Sequence, residues 1–125
     1  MYGRKIRKTT YLRIKKLAPN LGFVAYENQK YTDGHYLPDL VWEKNDKSVG
    51  FEVEYGKVSG KKIVGDAFWL CRTFDIGFIQ VVNSKRYERF KRLIEDLNED
   101  FKGNVYIIST NIEQIETTLK NKGWV

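Results

Sequence analysis

Residues 36–62 read YLPDLVWEKNDKSVGFEVEYGKVSGKK. An apolar run carrying Asp39 is followed by a turn at Asn45-Asp46-Lys47 and by a second apolar run carrying Glu52 and Glu54. Side chains on a strand alternate faces, so Phe51, Val53 and Tyr55 share one face while Glu52 and Glu54 share the other. Paired as a hairpin, the two runs bring Asp39 beside Glu52. Two anions about 5 Å apart repel by roughly 3 kcal/mol at an effective dielectric of about 20, and a third adds to this. Such a cluster asks either for a proton on one carboxyl group or for a cation among them. A hard divalent ion such as Mg²⁺ suits oxygen ligands and keeps waters for chemistry. The plain alternative is that Glu52 and Glu54 form the solvent face of an edge strand.

Pro38-Asp39 followed, after twelve intervening residues, by Glu52-Val53-Glu54 resembles the signature of the PD-(D/E)XK nuclease superfamily. The following stretch, from Gly56-Lys57 to Leu70, resembles the helix that comes after that signature. The likeness spans residues 21–82 by pattern and rests on a short motif. It departs from the family at Glu54, where a lysine is usual, although some type II restriction enzymes of the superfamily carry glutamate there. The resemblance implies a restriction-endonuclease-like core and metal-dependent hydrolysis of DNA phosphodiesters. Asp39 and Glu52, helped by the Val53 carbonyl, would hold Mg²⁺ or Mn²⁺. Glu27 is a further acid of the kind the family draws from its first helix or strand. Glu54 would be another ligand, or would position or deprotonate the attacking water. A lysine from the next helix sometimes replaces the missing motif lysine, which makes Lys57, Lys61 and Lys62 the candidates. One small catalytic domain has one site, whereas cutting two strands or a four-way junction needs two, so a homodimer is expected. Small archaeal junction resolvases of the superfamily share this size and basic charge, which points to branched DNA as one substrate.

The chain has 125 residues, enough for one compact domain, 1–125, with its own core. No stretch approaches the roughly 20 apolar residues that cross a bilayer. The basic start lacks the apolar segment of a secretory signal, and Cys71 is the only cysteine, so an intracellular protein without a disulfide or membrane partner is expected. The single His35 cannot build a zinc site with one distant cysteine and reads as a loop residue near the mouth of the site.

The net charge of +6 is uneven. Arg4, Lys5, Arg7, Lys8, Arg13, Lys15 and Lys16 all precede the first acid, Glu27, and the rest of the chain is nearly neutral. Such a basic arm reads as a polyanion footprint, most simply nucleic acid, which the resemblance makes DNA, although a solvated, solubilising tail has the same composition. Arg86, Arg89 and Arg92 give a later helix a second basic side.

The order of patterns completes the fold. A helix over 4–17 is expected to stop at Ala18-Pro19-Asn20. Strands follow over 21–27, 37–43 and 49–55. Ser59 caps a helix whose Ile63, Val64, Ala67, Phe68, Cys71 and Phe74 recur at helical spacing. The run 76–82 reads as a strand buried on both faces, with Gln80 either reaching the carboxylates or bonding locally. A helix over 85–99, a strand over 105–109 and a helix over 111–121 finish the chain. The class is α/β, a mixed central sheet flanked by helices in the order αβββαβαβα. Against the nuclease stand two rivals: a nucleic-acid-binding module on the same scaffold that has lost catalysis, and a protein-interaction subunit that binds no DNA.

Overall fold

The computed structural model describes residues 2–125, with side chains from Thr10 onward. The chain runs α1 (Tyr2–Asn20), β1 (Val24–Tyr26), β2 (Leu40–Lys44), β3 (Lys47–Glu54), α2 (Gly60–Thr73), β4 (Ile76–Val81), α3 (Ser84–Asp96), β5 (Val105–Ile108) and α4 (Glu113–Asn121). This is the expected α/β order. The five strands form one mixed sheet in the order β1-β2-β3-β4-β5. β1, β2 and β3 pair antiparallel, whereas β3, β4 and β5 pair parallel. The change of sense at β3 follows from the connections. A two-residue turn at Asn45-Asp46, with Asn45 at φ 56°, joins β2 to β3, and helices make the later crossovers.

The alternation along β3 sorts the core into two layers. Val49, Phe51 and Val53 pack with Ile14 and Ala18 of α1 and with Ile115 and Leu119 of α4. On the other face, Val41, Ile79 and Val81 meet Ile63, Ala67 and Leu70 of α2 and Phe90 and Ile94 of α3. Glu52 and Glu54 belong to this second face. They do not lie on a solvent face, because β3 is the middle strand of five and α2 folds back over it. Glu52 is 9% exposed.

α2 comes close to the sheet because two paired positions lack side chains. Gly50 on β3 and Gly77 on β4 are register partners. A Cβ at Gly77 would stand 2.6 Å from the Cβ of Leu70, and one at Gly50 would run into the Phe74 ring. The close approach brings the polar end of α2 over Glu52 and Glu54.

One boundary differs from expectation. α1 continues through Pro19 to Asn20, and the stop lies at Gly22, whose φ of +84° allows the Phe23 N–H to reach back to the Ala18 carbonyl at 2.9 Å. Proline forbids a hydrogen bond from its own nitrogen but not one more helical turn, whereas a left-handed glycine closes the helix. Ser59 caps α2 as expected, accepting from the Lys62 N–H at 3.1 Å. α3 is capped by Asn83 instead of Ser84.

Candidate active site

The register that pairs Leu40 with Phe51 continues outward to place Asp39 against Glu52. The two residues interlock. The Asp39 N–H donates to one Glu52 oxygen at 3.2 Å, and the Asp39 carboxylate accepts from the Val53 N–H at 2.7 Å. Because the N–H and C=O of one strand residue point to the same side, the Val53 carbonyl faces the edge that carries the Asp39 carboxylate. The second Glu52 oxygen accepts from the Tyr36 hydroxyl at 3.0 Å. Tyr36 is fixed by a small lasso in which Tyr31 and Tyr36 exchange backbone hydrogen bonds of 2.7 and 3.1 Å. Tyr11 of α1 donates its hydroxyl to the Asp39 carbonyl and ties this corner to the opposite layer.

Glu54, two residues along the same face, turns to α2. Lys62 places its ammonium 2.8 Å from Glu54 and 2.8 Å from Asp66. Lys62 and Asp66 are four apart and so share one face of the helix. Asp66 is 6% exposed. Its second oxygen has no hydrogen-bond donor in reach unless a proton is shared with Glu54.

The Lys62 ammonium is thus shared by two carboxyl groups, Glu54 and Asp66, and its charge reaches Glu52, which is interlocked in turn with Asp39. Burial above all, and then the charge of Asp39, raise the Glu52 pKa from 4.5 to about 8, against the lowering pull of the Tyr36 and Asp39 hydrogen bonds and of Lys62. Burial and the neighbouring Glu54 likewise raise Asp66 from 3.8 to about 8. Burial also raises the Tyr36 hydroxyl, reinforced by Glu52, so it stays a donor. Burial pulls the Lys62 ammonium down, but its bonds to Asp66 and Glu54 outweigh that and leave it firmly charged.

The cluster opens into a cleft of ≈ 550 Å³. Glu52, Asp66 and Lys62 line its polar side, Ser59 and Lys61 stand at the start of α2, and Tyr36 and Trp69 form an aromatic wall. A metal ion is implied by the resemblance, and the donor set is all oxygen. Among the described residues no three His, Cys, Asp or Glu side chains converge as a metal-holding group. Both Glu52 oxygens and one Asp39 oxygen already accept from protein donors, so an ion at Asp39, Glu52 and the Val53 carbonyl would have to keep several waters, as Mg²⁺ does, and these donors would not make a closed tetrahedral site.

Of the expected site residues, Asp39, Glu52 and Val53 meet, and Lys62 meets Glu54. Lys61 lines the cleft, whereas Lys57 is exposed on the preceding loop and does not. Glu54, expected as a further ligand or as the group that positions or deprotonates the water, is paired with Lys62 at 2.8 Å. Glu27 is held by Lys15 at 3.2 Å and is not among the charges that act on Glu52. His35 is exposed and outside the cleft lining. Gln80 shares the face of its register partner Val53 and donates to the Ser109 carbonyl at 3.0 Å, so it bonds locally.

Of the basic residues, Arg13 and Lys16 are exposed on α1, and Arg89 and Arg92 are exposed on α3. Arg86 is spent on the Val58 carbonyl at 3.2 Å. The side chains of Arg4, Lys5, Arg7 and Lys8 lie outside the described ones. Asp66 and Tyr36 were not expected in the site. The signal for Asp66 was an acid next to the apolar stripe of α2, one turn after a lysine.

Comparison with family models, with curated proteins and with solved structures gives no match. Among the described residues no helix is long and apolar enough to cross a membrane.

Proposed function

We propose that this protein is an intracellular, Mg²⁺-dependent endonuclease that hydrolyses DNA phosphodiesters and works as a homodimer. The observation that supports the reading is the interlocked pair Asp39 and Glu52, with the Lys62 ammonium of α2 lying 2.8 Å from Glu54, the residue that stands where the resembled signature has a lysine. Asp39, Glu52 and the Val53 carbonyl would hold the ion, which supplies a polarised phosphoryl oxygen and a bound water of lowered pKa. Lys62 would offset charge developing on the phosphate. Glu54 and Asp66 keep that ammonium charged and aimed. Lys61, on the cleft lining at the start of α2, would give a phosphate a cation to rest against. Arg13, Lys16, Arg89 and Arg92 would add backbone contacts that carry no base information.

The test is calorimetric titration with Mn²⁺ beside a cleavage assay on plasmid and on a four-way junction, each with Mg²⁺ and with chelator. The wild-type chain should bind the ion and nick DNA, and Asp39→Ala should lose both. DNA binding that is equal in chelator and in metal, with no ion uptake, would instead fit a module that has lost catalysis. An absence of salt-sensitive DNA binding would leave only a protein-interaction role.

A further inference from the structure

The aromatic wall of the cleft is larger than the carboxylate site needs. Tyr36 and Trp69 stack with ring centroids 5.5 Å apart and planes 17° apart, and both line the cleft. The wall continues onto the surface. Phe68 meets Trp69 edge-on at 5.4 Å, and the Arg72 guanidinium lies 4.4 Å from the centre of the Phe68 ring. Phe68 is 41% exposed. Tyr36, Trp69 and Phe68 so form one continuous aromatic surface that runs from the cleft outward. Gly65, on the cleft side of the same helix, leaves open space where a side chain would stand.

From this juxtaposition we propose that Trp69, Phe68 and Arg72 form a stacking site for unpaired nucleobases beside the scissile phosphate, so that the substrate carries a single-stranded or branched segment. The inference rests on the nuclease reading for the word substrate, but the binding it claims does not need catalysis. Bases inside a duplex already spend both faces on their neighbours, so only unpaired bases offer a face to an exposed ring. Aromatic rings with an adjacent guanidinium are the usual equipment for binding single strands without sequence preference. Two cations suit a strand's phosphates here, Lys61 on the cleft lining and Arg72 over the Phe68 ring. Tyr36 links the wall to the chemistry, because the ring that stacks on Trp69 also donates its hydroxyl to Glu52.

The test is made in chelator, so that binding is read apart from cleavage. Affinity is measured for a single strand, for the same strand with abasic positions, and for a blunt duplex, with wild type and Phe68→Ala. Phe68 is exposed, so its loss leaves the fold intact, which a melting curve checks. The substitution should weaken single-strand binding by at least about fivefold and leave duplex binding unchanged. The abasic strand should bind wild type as weakly as the intact strand binds Phe68→Ala. Equal loss on strand and duplex, or no loss on either, overturns the proposal. So does a dimer that becomes a monomer in Phe68→Ala, because the ring would then serve self-association. A chain that shows the base-dependent difference but never cuts DNA with Mg²⁺ defeats the nuclease reading and leaves the stacking site standing.

Discussion

The Lys62 ammonium lies 2.8 Å from the Glu54 carboxylate, across the loop that separates α2 from β3. Glu54 stands where the signature that this stretch resembles has a lysine, and α2 sets the Lys62 ammonium against it. Lys62 also bonds Asp66, so the charge is held from two sides. Removing it leaves Glu54 and Asp66 with no ammonium and takes away the pull that lowers the Asp66 pKa, so the proton on Asp66 is held more firmly still. We expect Lys62→Met to lower cleavage by about 10²- to 10³-fold, the usual cost of losing one fixed charge at a developing anion. Lys62→Arg should recover part of it. A variant that melts earlier yet cuts normally per folded molecule would assign Lys62 to structure alone.

The raised carboxyl groups give a pH signature. Glu52 and Asp66 have pKa values of about 8 when folded, against 4.5 and 3.8 as ordinary groups. Between these limits the folded chain binds more protons than the unfolded one, so stability falls as pH rises. Below about pH 4 both states are protonated, and above about pH 8 both have lost the proton. In chelator the melting temperature should therefore drop from pH 5 to pH 8 and level off beyond. Glu52→Gln should flatten much of the slope. An ion bound by Asp39 and Glu52 replaces the proton, so Mg²⁺ should raise the melting temperature most at pH 8 and release protons in unbuffered solution. A melting temperature that climbs over this range would refute the assignment.

Two glycines should respond in opposite directions. Gly77→Ala puts a methyl group against the Leu70 Cβ, which sits on a helix backbone and cannot swing aside. Overpacking of this kind costs about 1–3 kcal/mol, and here it also lifts α2 away from Glu52 and Glu54, so activity should fall with stability. Gly65→Ala meets nothing within 4 Å and removes a flexible residue from mid-helix. It should stabilise by roughly 0.5–1 kcal/mol. Denaturant titration of both variants reads the two signs directly.

The hairpin was legible because its information is local. Alternation in Phe51 to Glu54 fixes the faces, Asn45 marks the turn, and counting back from the turn puts Asp39 opposite Glu52. Ser59 and the helical spacing of Ile63, Val64, Ala67, Phe68, Cys71 and Phe74 likewise announce α2, although Phe68 lies exposed and Leu70, outside that spacing, is buried. Burial of Glu52 was not legible, because it depends on Gly50 and Gly77 drawing α2 down, a meeting of segments that no local pattern records. Asp66 escaped for the same reason: on a helix considered alone it is one more polar residue beside the apolar stripe. Which of Lys57, Lys61 and Lys62 meets the acids of β3 needed the helix phase relative to the strand, which depends on how the loop 56–59 folds.

The basic residues divide by what already holds them, and that division predicts the salt dependence of DNA binding. Arg13 and Lys16 are exposed on α1, whereas Lys15 is paired with Glu27 and Arg86 is bonded to the Val58 carbonyl. Each lysine or arginine that meets a phosphate releases condensed counterions, and the slope of log affinity against log salt counts those contacts. Arg13→Ala and Lys16→Ala should each weaken duplex binding regardless of base sequence and lower the slope by about 1. Lys15→Ala should change the slope less, because its ammonium is shared with Glu27. Arg86→Ala should loosen the loop before α2, and so slow cleavage more than it alters the slope. If all four substitutions shift the slope equally, the phosphate track does not follow α1, and the helix is only a solvated face.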